Sequence, residues 1–154
     1  MNNRPCLTAF LVTALVALGA ARPGLADRLA AGLASLDVTI TGIKSDKGFI
    51  RLALCPPQSG FPECKTKLIR SAAVPIAGTV AHILLTDLTP GEYAISVFHD
   101  ANSNAKLDTF AGIPTEGYGF SRNPSFKPRA PKFGEAQITV AGAVSTTIKL
   151  RYIL

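Results

Sequence analysis

An antiparallel Greek-key β-sandwich of about seven strands is the fold class this sequence predicts, and three observations carry it. Short stretches of strict apolar–polar alternation recur along the chain. Turn-forming residues separate them at intervals of roughly 8–12 residues, the spacing of sandwiches and barrels. After the first 26 residues no stretch has convincing helical periodicity. A barrel is the alternative. The chain has 154 residues, enough for one domain with a real core, assigned to 36–154.

Residues 1–26 read as a secretory signal peptide. Arg4 supplies the positive start, residues 7–21 form an apolar run, and Gly24-Leu25-Ala26 puts small residues before a cleavage point at Asp27. The run of fifteen residues is short for a membrane span of about 20, so the mature chain is expected to have no transmembrane segment. Residues 27–35 are a flexible lead-in. Removing Arg4 and Arg22 from 16 basic residues leaves 14 against 10 acidic ones, a net charge of +4. A mildly basic exported protein, periplasmic or extracellular, is expected to meet anionic cell-envelope material or an envelope protein, not nucleic acid. Cys6 leaves with the leader. Cys55 and Cys64 then form an even pair around PPQSGFPE, with no Cys or His near enough to make a zinc site, and a disulfide is expected.

The elements follow in order. Leu36, Val38 and Ile40 alternate with Asp37, Thr39 and Thr41, the mark of a half-buried strand over 36–43. Lys44-Ser45-Asp46-Lys47-Gly48 is a hairpin turn with Gly where positive φ is needed. Residues 49–55 return as a strand with Ile50, Leu52 and Leu54 on one side. Residues 67–76 suit an edge strand, because Pro75 cannot donate to a central ladder. In 79–85, Ala81, Ile83 and Leu85 share the core face, which leaves His82 as a surface strand histidine with Val80 and Leu84. Thr89-Pro90-Gly91-Glu92 fits a type II turn. Residues 92–100 form the next strand, and 136–140 and 144–154 the last two, joined at Ala141-Gly142.

The strand 92–100 delivers HDANSNAKLDTFAGIPTEGYGFSRNP, residues 99–124. Asp100, Asn102, Asn104 and Asp108 stand at positions 1, 3, 5 and 9 of a calcium-loop pattern, and the Lys106 carbonyl takes position 7. Position 12 is Ala111, so Glu116 is the expected substitute for the closing Glu. With two or three carboxylates the affinity should be weak, near the millimolar range of extracellular modules. The alternative is a turn in which Asp100 and the two Asn bond their own backbone.

GFP at 60–62, DLTPGEYAISVFHDANSNAKLD at 87–108 and GIPTEGYGFSRNP at 112–124 resemble the domain-of-unknown-function 2141 family of small exported bacterial proteins, over residues 36–152. The resemblance implies a β-sandwich of prealbumin-like or immunoglobulin-like kind and brings no established activity. The family usually has Gly after the second Asn of the loop, where this chain has Ala105.

Two classes of function follow. The first is a non-enzymatic binding or structural module with a calcium-ordered loop over 100–116. Arg122, Lys127, Arg129 and Lys132 lie within eleven residues that contain no acid, interleaved with Phe126, and form a candidate patch for anionic ligands. Tyr118 and Phe120 either face a ligand or plug the end of the core. The alternative is a metal-dependent hydrolase using His99, Asp100, Asp108 and Glu116 around one ion. Neighbouring strand residues point to opposite faces, so His99 and Asp100 are not expected to pair.

Overall fold

The computed structural model describes residues 32–154, so the expected signal peptide and residues 27–31 of the lead-in lie outside the described residues. The fold is all-β: the described residues form ten short strands and one turn of helix. β1 (Ala34–Thr41), β2 (Phe49–Cys55), β3 (Arg70–Pro75), β4 (Val80–Leu88) and β5 (Gly91–Asp100) are the long early strands. Then come β6 (Thr109–Phe110), β7 (Ile113–Pro114), β8 (Tyr118–Phe120), helix α1 (Phe133–Ala136), β9 (Gln137–Val140) and β10 (Ala143–Lys149). The alternation behind β1 holds: Leu36, Val38 and Ile40 are buried. The strand starts ahead of the expected boundary, because Ala34 and Ser35 are buried as well.

One sheet has the order β10-β1-β4 and a second the order β3-β2-β5-β8, with β9 also paired to β5. β6 and β7 make a separate two-stranded ribbon. The sheets do not close into a barrel. Apolar residues from both larger sheets share one core, among them Leu36, Ile40, Ile50, Leu54, Ile95 and Ile148. All pairings are antiparallel except one: β10 lies parallel to β1, Ser35 opposite Ala143 and Thr41 opposite Lys149. This corrects the wholly antiparallel expectation. The physical reason is that β9 and β10 belong to different sheets, so the turn at Gly142 is a crossing between sheets.

The same reason corrects two turns. β1 and β2 lie in different sheets, so residues 44–48 cross between sheets and do not make a hairpin. Gly48 does have the expected positive φ, and a Cβ there would sit 2.0 Å from the Asp100 carbonyl oxygen. At the β4–β5 connection Gly91 does not have the positive φ that a type II turn needs at its third position, so that turn is not formed; the left-handed residue is Asp87 (φ 60), inside the end of β4. β3 is an edge strand, as Pro75 requires. The expected strand 144–154 ends at Lys149, after which Arg151 bridges to Tyr118.

Helix α1 was not legible in the sequence. It is four residues long and held by Glu135, whose carboxylate accepts the Lys132 backbone N–H at 2.7 Å. Cys55 and Cys64 form the expected disulfide, with Cα atoms 5.7 Å apart. His82 is exposed on β4, its Nδ1 3.3 Å from Thr39 Oγ1.

Candidate functional site

β5 ends where the polar loop begins, and alternation sends its last two side chains to opposite faces. His99 turns inward and is 2% exposed. Its Nε2 lies 2.9 Å from the Lys47 carbonyl oxygen, which can only accept, so Nε2 carries the proton. Its Nδ1 lies 2.9 Å from the Tyr152 hydroxyl, which donates to it and itself accepts the Lys44 backbone N–H at 3.2 Å. Burial pushes the Tyr152 hydroxyl pKa up, and the negative charge of Glu116 adds to this against the Lys44 bond. The hydroxyl therefore stays a donor. Gly117 permits this arrangement: a Cβ there would meet the Tyr152 ring at 2.3 Å. Both histidine nitrogens are thus committed to neighbours.

Asp100 turns the other way and its carboxylate is fully buried. Oδ1 accepts the Asn104 N–H at 2.9 Å, and Oδ2 accepts the Ala105 N–H at 3.0 Å and the Arg51 Nε–H. Burial alone would raise this carboxyl's pKa, but Arg51 and the two backbone N–H groups together hold it below its ordinary value. Arg51 stands on β2, which pairs with β5 so that Phe49 faces Asp100 and Arg51 faces Phe98. The guanidinium and the carboxylate therefore share one face of the sheet.

Glu116 closes the loop from its far end. It is 8% exposed; Oε1 accepts the Ala101 N–H at 2.9 Å and Oε2 the Asp108 N–H at 3.1 Å. A second layer lies outside these two carboxylates. The Asn102 and Asn104 amide groups both turn to Asp108, at 2.7 Å for Asn102 and 3.0 and 3.1 Å for Asn104. Asn104 Oδ1 accepts the Lys106 N–H at 2.8 Å. Ser103 and Ala105 both have left-handed backbone, φ 63 and 64. Ala105 thus occupies the conformation for which glycine is suited.

The structure therefore brings together all six expected metal-loop residues, in two tiers. Asp100 and Glu116 are buried and bonded to backbone N–H groups of the loop. Asn102, Asn104 and Asp108 converge nearer the solvent, followed by Lys106. A calcium ion takes about 6–8 oxygens, and a primary amide turned over presents oxygen where nitrogen stood. In the outer tier the Asn102 and Asn104 Oδ1 atoms accept the Asn104 and Lys106 backbone N–H groups, so turning either amide over would break a loop bond; the inner tier, with Arg51 against Asp100, has little coordination capacity left. Among the described residues no group of three or more His, Cys, Asp or Glu side chains is placed to hold a metal. His99 and Asp100 diverge, so the four proposed hydrolytic residues do not surround one point.

The basic residues divide. Lys127 Nζ and Arg129 both bind the Glu135 carboxylate, Arg129 through Nη1 at 2.8 Å and Nη2 at 3.1 Å. Arg129, Lys127 and the Lys132 N–H hold Glu135 well below the usual carboxylate range. These two cations line a shallow groove with Tyr118, Phe120, Phe126 and Arg151. Arg122 and Lys132 are exposed and do not line it. Beneath the groove, Phe120 stacks edge-on with Phe61 at 5.8 Å and with Tyr118 at 5.8 Å. Sequence reasoning missed Arg51 on β2 and Arg151 and Tyr152 in the segment after β10, all distant in sequence from the loop. It also passed over Phe110 and Ile113, which are 73% and 42% exposed on the β6–β7 ribbon.

Fold and site together define a small all-β domain with a polar loop tied to its own carboxylates at one end of a sheet. The chain belongs to the family described as uncharacterized protein conserved in bacteria (DUF2141), which matches residues 38–149. No curated protein and no solved structure matches it. Among the described residues, no helix is long and apolar enough to cross a membrane.

Proposed function

We propose that the chain is an exported, non-catalytic β-sandwich of prealbumin-like or immunoglobulin-like kind that binds anionic cell-envelope material. The observation that supports this most is the groove beside β8, where Lys127, Arg129 and Arg151 stand among Tyr118, Phe120 and Phe126 with one acid, Glu135. The aromatic GIPTEGYGFS run and the basic run that follows it in sequence fold against each other there, and Arg151 joins them from beyond β10. Aromatic faces and guanidinium groups suit a sugar or lipid headgroup that carries negative charge. The engaged nitrogens of His99 count against the hydrolase reading. Calcium, in this reading, is a weak ligand of the outer loop tier, held by Asn102, Asn104, Asp108 and the Lys106 carbonyl around a loop already formed.

The test is retention on an immobilised sulfated polysaccharide and on vesicles of anionic lipid, at increasing salt. Binding should weaken steeply, as surface electrostatics must. Replacing Lys127, Arg129 and Arg151, the cations of the groove, with Ser should abolish it, while replacing Arg122 and Lys132 should weaken it little. Unaltered retention after the first replacement would reduce the groove's cations to a solvated surface. For calcium, the melting temperature should rise in millimolar calcium by mass action, and Asp108→Ala should remove the rise. Calorimetry without heat and a melt indifferent to chelator would remove calcium from the account.

A further inference from the structure

We propose that β4 is a docking edge for a second copy of this chain, pairing antiparallel with its own equivalent so that two three-stranded sheets become one of six strands. The argument starts from which backbone groups are already used. The Ser35 N–H donates to the Gly142 carbonyl and the Leu150 N–H to the Thr41 carbonyl, so the odd residues of β1 face β10. The even residues, Leu36, Val38 and Ile40, therefore face β4, where they oppose Leu85, Ile83 and Ala81. By alternation, the N–H and C=O groups of Val80, His82 and Leu84 point away from β1. β4 ends its sheet, and among the described residues no strand pairs with that side.

The other edges are guarded and this one is not. On β10, Asn123 occupies the outward groups: its Nδ2 donates to the Thr147 carbonyl at 2.9 Å and its Oδ1 accepts the Lys149 N–H at 2.8 Å. β8 exchanges two backbone bonds with Arg151. β3 carries Arg70 at one end and Pro75 at the other. β9 has only four residues. β4 has nine, with no Asp, Glu, Lys, Arg or Pro from 80 to 86. Edges of soluble proteins are normally blunted by charge, proline or a covering segment, and a long edge without them is a template for another strand.

The occupant is a second copy because the edge is complementary to itself. Val80, His82 and Leu84 place free donors and acceptors at every second residue. Under a two-fold axis near His82, Val80 of one chain faces Leu84 of the other. Those side chains are 42% and 65% exposed, so pairing covers apolar surface as well as backbone. No Asp, Glu, Lys or Arg stands among the paired residues 80–84. Such an interface is small against the roughly 1,200–2,000 Å² of stable complexes, so the dimer should be weak and concentration-dependent.

The test is the mass of the purified protein by sedimentation across its soluble concentration range. It should rise from one chain towards two. His82→Pro removes an outward N–H that β1 does not use, and Leu84→Lys puts a charge on the exposed edge. Each should keep the fold by circular dichroism and hold the mass at one chain, while Thr147→Lys on the opposite edge should still dimerise. If His82→Pro does not fold, Leu84→Lys decides alone. A single-chain mass at every concentration would overturn the proposal, as would a dimer that survives Leu84→Lys.

Discussion

Replacing Glu116 with Gln isolates one tie of the loop with almost no change in size. Each carboxylate oxygen accepts one backbone N–H, from Ala101 at 2.9 Å and from Asp108 at 3.1 Å. Glutamine keeps one acceptor and presents an NH₂ group to the other N–H, so one bond is lost and a poorly hydrated donor is left facing another donor. A hydrogen bond to a charged group contributes about 1.5–3 kcal/mol, and the surviving bond loses its charge assistance. The site is 8% exposed, so water replaces little of this, and a loss of about 2 kcal/mol is expected. Opening of the loop alone can cap the global loss, because exposed loops unfold locally below the global free energy. Two assays are therefore needed together: urea unfolding for the global change and amide exchange at Ala101 and Asp108 for the local one. Exchange at one of these amides should accelerate about 30-fold, the equivalent of 2 kcal/mol. A change under about 0.5 kcal/mol with both amides still protected would refute the reasoning, because surface substitutions fall within that range.

Ala105→Gly should stabilise the protein by about 1 kcal/mol, since Ala105 holds φ 64 and the left-handed conformation costs a non-glycine residue about 1–2 kcal/mol; thermal unfolding reads this as a small rise in Tm. Arg51→Met should destabilise strongly, because it leaves the buried Asp100 carboxylate without its cation. For pH, Asp100 has a folded pKa below its unfolded value of about 3.9. Its stabilisation is therefore fully present above pH 4–5 and is lost as pH falls through the folded pKa. Denaturant midpoints should accordingly be flat through neutral pH and fall below about pH 4, and in Arg51→Met, where the folded pKa of Asp100 rises towards or past the unfolded value, the part of that fall due to Asp100 should shrink or reverse. Thiol titration of unfolded, unreduced protein should find no free thiol from Cys55 and Cys64, and reduction should cost about 2–3 kcal/mol by loop-closure entropy.

The sheet faces were legible because alternation is local: Leu36, Val38 and Ile40, like Ala81, Ile83 and Leu85, are buried as their period requires. Sheet membership was not legible. A turn such as 44–48 has the same composition whether it folds a strand back on its neighbour or carries the chain to the other sheet, and only the completed core decides. The loop was recognisable from Asp100, Asn102, Asn104 and Asp108 because their spacing is local too. What binds Asp100 was not, since Arg51 lies 49 residues away and reaches it only through the β2–β5 register. Helix α1 escaped because four residues are too few for a period, and its tie to Glu135 depends on Lys127 and Arg129 folding back.

The most direct test of the account is amide exchange at Ala101, Asn104, Ala105 and Asp108 in wild-type protein, in chelator and again in millimolar calcium. These four N–H groups are the ones bonded to Asp100 and Glu116. Slow exchange in chelator, with at most a modest further slowing in calcium, is the expected result, because the protein's own buried carboxylates order the loop. Fast exchange in chelator that becomes slow only on adding calcium would show that the metal makes the loop, and would contradict the account.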